Sequence, residues 1–378
     1  MSRKRKIQFR QWLILAIAWQ LMALWICVYD HLAIHSGLAM SPAKDYTFVS
    51  NWALYSSVTL IATLIGGSIL VFYINPRFAN RSYGRAILAV VLCIIFTMSV
   101  ITIISAYIYV TFILKISVAD RDFSRTFVAY ISDPLNLKDT LIWSTITAAT
   151  QFIFLMNTKF GPGVFGKIIT GKYRLPKTEE RIFMFLDLNS STAIAETLGE
   201  VNYHRLLKDF FAHITDPIVN NYGEIYQYVG DEIIIGWDLA KGARNNQCIR
   251  CFFEIKKEIE RNRDYYYESY GVVPSFKAGM HSGTVIAGEI GIFKRDITYS
   301  GDVLNTTARM RSMCKELNVE LIASSELLSH LPYAHQFNIR ELGSIELRGK
   351  KNKIELCSLT MSPTTVSPFS SRSRKSAA

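Results

Sequence analysis

The stretch Gly223–Trp237 reads GEIYQYVGDEIIIGW and predicts the central hairpin of the C-terminal half of the chain. Two runs of strand-like composition meet at Gly230-Asp231, a dipeptide that is common in tight turns between antiparallel strands. The run that follows, Ile233–Ile235, is apolar enough to lie buried in a sheet. The stretch therefore predicts a β-hairpin that carries the carboxylate of Asp231 at its turn.

A second acid with matching surroundings is Asp187, in the segment RIFMFLDLNSS. It stands near the end of a predicted strand, Arg181–Leu188, so we expect the two carboxylates at the ends of adjacent strands. Two acceptor-only side chains in that arrangement suit a pair of hard divalent cations. The next residues, Asn189–Thr192, form the predicted start of a helix, where free backbone N–H groups can bind phosphate oxygens. Ser and Thr are also ordinary helix caps, in proteins that bind no phosphate.

The composition separates the chain into a membrane part and a soluble part. The 378 residues are 50% hydrophobic, and the apolar residues concentrate before position 160. Since a bilayer span takes about 20 apolar residues, we expect an α-helical membrane domain of four spans in residues 1–158. A short cytosolic linker, 159–180, then joins a soluble domain, 181–360, and the tail, 361–378, is expected to be disordered. The predicted spans are Trp12–Tyr29, Trp52–Ile74, Ala86–Leu114 and Leu141–Met156.

The net charge of +11 indicates the orientation of the spans. The basic N-terminal residues and the acid-free connection Asn75–Gly84 belong on the cytosolic side, by the positive-inside rule. An even number of spans then returns the C-terminal half to the cytosol, in a multi-pass protein of the cell (inner or plasma) membrane. Because no stripe of aromatic and basic residues accompanies the charge, contact with membrane lipid is favoured and nucleic acid is not an expected partner.

The soluble half alternates predicted strands and helices, which indicates an α+β sheet with helices over one face. Ser275–His281 and Thr284–Ile290 are expected as two separate strands, and Arg244–Ser269 as one helix. A helix that begins near Asp302 and a hairpin around Gly349 complete the domain.

From about Arg181 to Leu359 the chain resembles the catalytic domain of class III nucleotidyl cyclases, the adenylyl and guanylyl cyclases. Four segments carry the resemblance, in the family's order: FLDLNSST, GEIYQYVGDE, GMHSGTVIAGEIG and YSGDVLNTTARM, the last with Asn305 four residues before Arg309. The resemblance implies a ferredoxin-like core and an enzyme that converts ATP to 3′,5′-cyclic AMP and pyrophosphate. It also implies a homodimer with active sites at the interface, where one copy supplies the metal ligands and the other the Asn and Arg.

The resemblance implies a role for each matching residue. Asp187 and Asp231 are similar to the family's metal carboxylates, with the backbone carbonyl of Leu188 as a further ligand, and two Mg²⁺ or Mn²⁺ ions are expected per active site. Asn305 resembles the residue that orients the ribose, and Arg309 the residue that binds the α-phosphate. These residue types fit the chemistry, since one metal lowers the pKa of the attacking 3′-hydroxyl and a guanidinium stabilises charge on phosphoryl oxygens.

Two segments are expected to contact the other phosphates. One is the predicted helix start after Leu188, and the other is ELRGKKNK, which is similar to the family's basic loop for the terminal phosphates. The choice among Arg348, Lys350 and Lys351 is open. The implied phosphate-binding residues are Asn189, Ser190, Ser191, Thr192, Arg348 and Lys350.

At the base-recognition positions the sequence departs from the family's usual residues. Adenylyl cyclases usually carry Lys four residues before the second metal Asp, where this chain has Gln227, and often Asp at the partner position, where it has Thr298. Threonine there resembles a subgroup that includes bicarbonate-responsive cyclases. A Gln amide or a Thr hydroxyl can donate to either purine or accept from it. ATP is the favoured substrate, with a guanylate or mixed-purine cyclase as the alternative.

Two other interpretations share parts of the pattern. A diguanylate cyclase also places an acid in a Gly-rich hairpin, but Val229 stands here in place of its second Gly. A catalytically silent receptor domain could bind nucleotide on the same fold, although retention of both acids, Asn305 and Arg309 favours an enzyme. The membrane domain is expected to anchor the protein, to dimerise it or to sense a ligand.

Overall fold

The computed structural model of the protein describes residues 3–36, 47–74, 83–108, 110–111, 114–160, 164–293, 295–333, 336–345 and 353–362. The chain divides into two compact units, one made mainly of Arg5–Phe165 and the other mainly of Gly166–Ala378. Their boundary falls within the predicted linker, 159–180.

The first unit is helical. Its helices are α1 Arg3–His35, α2 Phe48–Ala62, α3 Tyr83–Ile108, α4 Arg121–Ile131 and α5 Pro134–Phe160. α2 continues through two π-helical segments, Thr63–Gly67 and Ile69–Ile74, so that it covers the second predicted span. Trp19 of α1 donates from Nε1 to the hydroxyl of Thr150 on α5 (3.2 Å), and Lys138 of α5 pairs with Asp30 of α1 (3.0 Å).

Three helical stretches of the described chain are long and apolar enough to cross a membrane: Arg5–His35, Phe48–Tyr73 and Ile87–Ile104. They coincide with the first three predicted spans. The fourth predicted span, Leu141–Met156, lies inside α5, whose apolar run contains several Ser, Thr and Gln residues. Four spans therefore stay a prediction.

Between the third and fourth predicted spans the structure has a helix, α4, that is not among the elements predicted from the sequence. Phe123 and Phe127 stack on one side of it with ring centroids 5.6 Å apart. Apolar residues at a spacing of three to four give this short helix one apolar face, a pattern that a search for membrane-length runs overlooks.

In the second unit the described residues form one eight-stranded sheet of order β2-β3-β1-β4-β6-β8-β7, with β5 paired to β4. β4 and β6 are parallel, and the other neighbours are antiparallel. The α+β class predicted from the sequence is confirmed. The strands are β1 Lys177–Leu188, β2 Glu224–Val229, β3 Glu232–Asp238, β4 Phe276–Ile290, β5 Asp296–Ser300, β6 Leu321–Ser324, β7 Phe337–Ile345 and β8 Ile354–Met361.

Helices cover both faces of this sheet, so the expectation of helices over one face is wrong. Alternate residues of β1 such as Met184 and Leu186 join a large core with α8 and α10, while Phe183 and Phe185 pack against α12 on the opposite face. β1 is buried continuously from Arg181, which is the pattern of a strand covered on both faces. The helices are α6 Val164–Ile169, α7 Ser191–Leu198, α8 Glu200–Asn220, α9 Leu239–Ala243, α10 Gln247–Arg261, α11 Arg263–Tyr270, α12 Asp302–Glu316 and α13 Ser325–Ser329.

Two predicted elements have different bounds in the structure. The strands Ser275–His281 and Thr284–Ile290 are one strand, β4, because Ser282 and Gly283 continue the ladder with β1 and make no turn. The helix Arg244–Ser269 is divided: a 3₁₀ turn, Arg244–Asn246, precedes α10, and a break at Asn262 separates α10 from α11. The hairpin expected around Gly349 is present as β7 and β8, whereas residues 346–352 and the predicted tail beyond Ser362 lie outside the described residues.

Candidate functional site

The β2–β3 hairpin brings the two predicted metal acids to one end of the sheet. β1 and β3 pair with Asp187 opposite Glu232, the residue that follows Asp231. Gly230 has φ = 63°, a left-handed conformation that glycine adopts without steric cost. The predicted Gly230-Asp231 turn is therefore present, and it places Asp231 beside the end of β1.

Asp187 is nearly buried, and two cations contact one of its oxygens. Arg311 of α12 donates from Nη1 to Oδ2 (3.0 Å), and Nζ of Lys277 on β4 lies 3.3 Å from the same oxygen. The other guanidinium nitrogen, Nη2, is 2.6 Å from Oε2 of Glu232. Within the described part of the chain, Oδ1 of Asp187 accepts no hydrogen bond.

Burial and these charges act on Glu232 in opposite directions. Desolvation raises its pKa above the ordinary value, the positive charge of Arg311 opposes that rise, and the negative charge of Asp187 adds to it. The net pKa shift is upward. The two acids and Arg311 form a compact charged group whose members are each largely shielded from water.

Arg311 reaches this position because α12 lies directly on β4. A Cβ built on Gly279 would stand 2.5 Å from the backbone nitrogen of Arg311 and 2.7 Å from the carbonyl oxygen of Thr307. Such distances exclude any side chain, so glycine permits the close approach. Gly279 pairs with Phe185 of β1, and this places the helix over the strand that carries Asp187.

The segment Asn189–Thr192 follows β1 directly, as predicted. The backbone N–H of Asn189 donates to the carbonyl of Ser275 (2.9 Å), and its side-chain amide donates to the hydroxyl of the same residue (3.1 Å). Ser190 has φ = 54° and makes no side-chain capping bond to α7. A cavity of about 360 Å³ opens beside Asn189 and Ser190, lined also by Lys277 and Lys315. The ordinary capping role is thus absent at Ser190.

Tyr203 of α8 stands near both the turn and the start of α7. Burial raises the pKa of its phenol, and the negative charge of Asp231 adds to that shift while Ser191 opposes it through a hydrogen bond. Both the turn acid and the start of α7 thus act on this phenol.

Asn305 and Arg309 lie on α12 but away from the acids. Asn305 is exposed and Arg309 half-buried, and no hydrogen bond or ion pair among the described residues joins either to Asp187 or Asp231. Arg309 and Arg311 are two positions apart, which is about 200° around a helix, so they point to different sides. The structure thus brings the acids together and leaves Asn305 and Arg309 directed elsewhere.

A β-bulge at Tyr226 determines where Gln227 lies. Ile225 pairs with Ile235, but Gln227 pairs with Ile234, so one extra residue is inserted in β2. Cross-strand partners share a face, and Ile234 packs on the α12 face whereas Ile235 is in the opposite core. The bulge therefore places Gln227, which is exposed, on the α12 side of the sheet.

Thr298 stands on β5 and donates to the carbonyl of Gly288 (3.4 Å). Its neighbour Tyr299 contacts Tyr226, with ring centroids 5.1 Å apart and its backbone N–H directed at the Tyr226 phenol oxygen (3.5 Å). No hydrogen bond joins Thr298 to Gln227 in the described chain. The contact is thus between Tyr226 and Tyr299, the neighbours of Gln227 and Thr298.

A buried ion cluster lies at the other end of β1. Arg181, which is 1% exposed, pairs with Asp238 (2.6 Å) and Glu224 (3.0 Å) and donates to the phenol oxygen of Tyr299 (2.6 Å). Burial alone would raise the pKa of Asp238, but Lys241 and Arg181 lower it to about 2. The cluster ties β2 and β5, the strands of Gln227 and Thr298, to β1.

The donor set at the hairpin is suited to hard divalent cations. It comprises the free oxygen of Asp187, the carboxylate of Asp231 and the nearby carbonyl of Leu188, and oxygen donors of this kind are the ligands of Mg²⁺. Among the described residues no group of three or more His, Cys, Asp or Glu side chains is arranged to hold a metal. A magnesium-type site commonly takes one or two carboxylates and completes its shell with substrate phosphates and water. Arg348, Lys350 and Lys351 lie outside the described residues.

Four residues at this site were not predicted from the sequence: Tyr203, Glu232, Lys277 and Arg311. Glu232 follows the turn acid directly, and Lys277 lies opposite Asp187 in the strand pair. Arg311 could have been found from the ARMR segment, because helical geometry turns it away from Arg309 toward the sheet. Its ion pairs depend on the positions of two separate strands, β1 and β3, which no local pattern contains.

Comparison with known proteins identifies the same part of the chain. Residues 175–360 match the family described as the adenylate and guanylate cyclase catalytic domain. The chain is 38% identical to "Adenylate cyclase 2" of Rhizobium meliloti (strain 1021) over 224 residues, 59% of this chain and 61% of that protein. It is 24% identical to "Adenylate cyclase 1" of the same strain over 183 residues, 47% of this chain and 27% of that protein. The chain spans less than two thirds of the length of these curated relatives.

Among solved structures, the chain is similar to a bacterial light-regulated adenylyl cyclase. The TM-score is 0.50 and the sequence identity 22%, over 59% of this chain and 65% of that chain. At this identity the similarity is one of fold. It accords with the mixed sheet and the helices on its two faces.

Proposed function

We propose, since residues 175–360 of this chain match the adenylate and guanylate cyclase catalytic domain family, that the protein is a membrane-bound adenylate cyclase. It converts ATP to 3′,5′-cyclic AMP and pyrophosphate as a homodimer. The observation that supports this most directly is that Asp187 lies opposite Glu232, the residue after Asp231, at one end of the sheet, in a chain that is 38% identical to an adenylate cyclase over 224 residues.

Asp187, Asp231 and the carbonyl of Leu188 would hold two Mg²⁺ or Mn²⁺ ions. When bound, the metals activate the ribose 3′-hydroxyl and stabilise the charge of the pyrophosphate that leaves. The chain's own contribution is a pair of oxygen donors fixed by β1 and by the hairpin turn. The new bond forms between the 3′-oxygen and the α-phosphorus, the bond to the pyrophosphate oxygen breaks, and the hydroxyl proton is lost to solvent.

Asn305 and Arg309 would act on the nucleotide bound by a second copy of the chain. Their positions on α12, away from the acids of their own copy, support this division. The Asn305 amide would orient the ribose, and the Arg309 guanidinium would bind the α-phosphate as negative charge develops on it. A two-fold dimer then contains two equivalent sites, each built from both copies.

The phosphates of the substrate would lie along Asn189, Ser190, Ser191 and Thr192. The absence of a capping bond from Ser190 leaves the start of α7 available to an anion, and the cavity beside it is lined by lysines. Arg348 and Lys350 would contact the terminal phosphates from the β7–β8 connection.

Gln227 and Thr298 would face the purine. Gln227 is exposed on the α12 side of the sheet, and Thr298 is half-buried beside Tyr299, which contacts Tyr226, the neighbour of Gln227; this proximity supports that role. Since an amide or hydroxyl can serve adenine and guanine, some turnover of GTP beside ATP is expected. The three membrane-length helices would place the enzyme in the cell membrane, with lipid around the first unit. Together with the fourth predicted span, Leu141–Met156, they would leave both termini in the cytosol.

The test uses the full chain, purified in detergent, with ATP or GTP and Mn²⁺, and measures the cyclic nucleotide by mass spectrometry. Cyclic AMP is the expected main product, and Asp187→Asn and Asp231→Asn are each expected to reduce its formation by more than about a hundredfold. Arg250→Gln, which removes a surface arginine on α10, is the matched control. Cyclic GMP as the main product would make the protein a guanylate cyclase, and nucleotide binding without any cyclic product would make it a silent receptor domain.

A further inference from the structure

We propose, on the basis of the proposed function, that Arg311 is a positioning residue. It holds Asp187 by one oxygen and sets the affinity of the acids for divalent metal. Its guanidinium connects two strands: Nη1 lies 3.0 Å from Oδ2 of Asp187 on β1 and Nη2 lies 2.6 Å from Oε2 of Glu232 on β3. Asp187 and Glu232 are direct cross-strand partners, so one guanidinium reaches both carboxylates, with a hydrogen bond to Asp187 and an ion pair to Glu232.

The contacts of Arg311 fix the rotation of the Asp187 carboxylate. Oδ2 is engaged by Arg311, with Lys277 at 3.3 Å, while Oδ1 accepts no hydrogen bond from the described residues. A carboxylate held in this way presents one defined oxygen to a metal. Without Arg311 the group could rotate and bind a metal through either oxygen or through both.

The same guanidinium opposes the charge of a metal. Asp187 and Glu232 carry two negative charges, and Arg311 and Lys277 carry two positive charges, so Asp231 alone supplies net negative charge to the group. The side chains of Asp187 and Glu232 are each 12% exposed, and charge interactions between such shielded groups are stronger than in water. Arg311 therefore weakens metal binding while it improves the geometry of the ligand.

The position of Arg311 also connects the two proposed active sites of a dimer. Its backbone is held against β4 at Gly279, and Arg309 points to another side of the same helix. α12 thus contacts the acids of its own copy through Arg311 and would present Arg309 to the second copy. A variant of Arg311 that leaves α12 in place should change metal binding without loss of the dimer.

The experiment measures Mn²⁺ binding directly, by the electron paramagnetic resonance signal of free Mn²⁺, with the full chain in detergent and a 3′-deoxy analogue of ATP that cannot cyclise. Arg311→Gln is expected to bind Mn²⁺ about tenfold more tightly and to have a kcat at least about tenfold lower. Arg311→Lys retains the charge without the fork, so its affinity should stay near that of the unchanged protein while kcat falls. Glu232→Gln removes one acid and should weaken binding about threefold or more.

The opposite directions of affinity and kcat separate positioning from a structural role, since a damaged fold would lower both. Arg250→Gln is the matched control and should change neither. If Asp187→Asn leaves Mn²⁺ binding unchanged, the metal site of the proposed function is wrong. If Asp187→Asn abolishes binding but Arg311→Gln binds Mn²⁺ no more tightly than the unchanged protein, the role of Arg311 is wrong and the proposed function stands. Thermal unfolding shows whether Arg311→Gln folds. If it does not, Arg311→Lys is the test, and a kcat of Arg311→Lys equal to that of the unchanged protein contradicts the inference.

Discussion

Gly279 of β4 and the backbone nitrogen of Arg311 are so close that a Cβ on the glycine would stand 2.5 Å from that nitrogen. This contact sets the height of α12 above the sheet. From that height Arg311 reaches both Asp187 and Glu232. Glycine at position 279 therefore allows the guanidinium to lie at the candidate site.

The first prediction concerns this contact. Gly279→Ala must push α12 away from β4, since the atoms it meets are backbone, and overpacking of this kind costs about 1–3 kcal/mol of unfolding free energy. We expect a lower thermal midpoint and a loss of cyclase activity greater than the loss of stability alone would give. Gly166→Ala is the control, because a Cβ there meets nothing within 4 Å. Equal thermal midpoints for the two variants would show that α12 can move at no cost.

The second prediction tests the division of the active site between two copies. Asp187→Asn and Arg309→Ala should each be inactive alone, because every site in either homodimer lacks one essential group. Mixed dimers contain one intact site of two, so purified mixed dimers should have up to about half of the full activity. Activity is measured after purification through two different affinity tags. No recovery in verified mixed dimers would contradict the proposed arrangement.

The third prediction concerns the choice of purine. Replacement of Gln227 by Lys together with Thr298→Asp installs the residues usual in adenylyl cyclases, a donor and an acceptor that suit adenine. We expect the ratio of kcat/KM for ATP to that for GTP to rise about tenfold or more, because guanine then leaves polar groups unpaired. The measurement compares both substrates at the same Mn²⁺ concentration. An unchanged ratio would remove these two positions from base recognition.

The fourth prediction concerns the buried cluster around Arg181. Lys241 and Arg181 lower the pKa of Asp238 to about 2, below the value of about 3.9 expected in the unfolded chain. A lowered pKa contributes stability that is present above the unfolded value and is lost as the pH falls from about 4 to about 2. Asp238→Asn should therefore destabilise the protein at neutral pH, by about 1–2 kcal/mol for a lost partner of a buried charge.

The difference in unfolding free energy between Asp238→Asn and the unchanged protein should shrink as the pH falls from about 4 to about 2. Denaturant unfolding at pH 7 and at pH 3 measures this difference at each pH. Lys256, whose partner Glu320 lies on the surface, provides a control: Lys256→Gln should have a small effect at either pH. If Asp238→Asn lowers the free energy of unfolding by the same amount at pH 7 and at pH 3, the lowered pKa of Asp238 is contradicted.

The hairpin and its acid could be predicted because their signals are local. Gly230-Asp231 specifies a turn through glycine's conformational freedom, and the run Ile233–Ile235 specifies a buried strand. Asp187 was found in the same way, from the strand that precedes it. The segment Asn189–Thr192 was placed correctly at the start of a helix, although Ser190 does not cap that helix.

The errors come from features that depend on distant contacts. Ser282 and Gly283 resemble a turn in sequence, but pairing with β1 extends the strand through them. α12 has the pattern of any amphipathic helix, and nothing in that pattern specifies which face of the sheet it covers. Arg311, Lys277 and Glu232 meet across three strands and a helix, so their mutual positions follow from the topology rather than from a motif.

The extra residue in β2 determines what stands beside Gln227. Since Gln227 pairs with Ile234 whether or not Tyr226 is inserted before it, removal of Tyr226 would leave Gln227 on the α12 side and take away the ring that contacts Tyr299, next to Thr298. A single-codon deletion would therefore separate β2 from β5 at the proposed base site where neither Gln227 nor Thr298 had been exchanged. Evolution of selectivity on this scaffold can proceed by changes of strand length as well as by substitution.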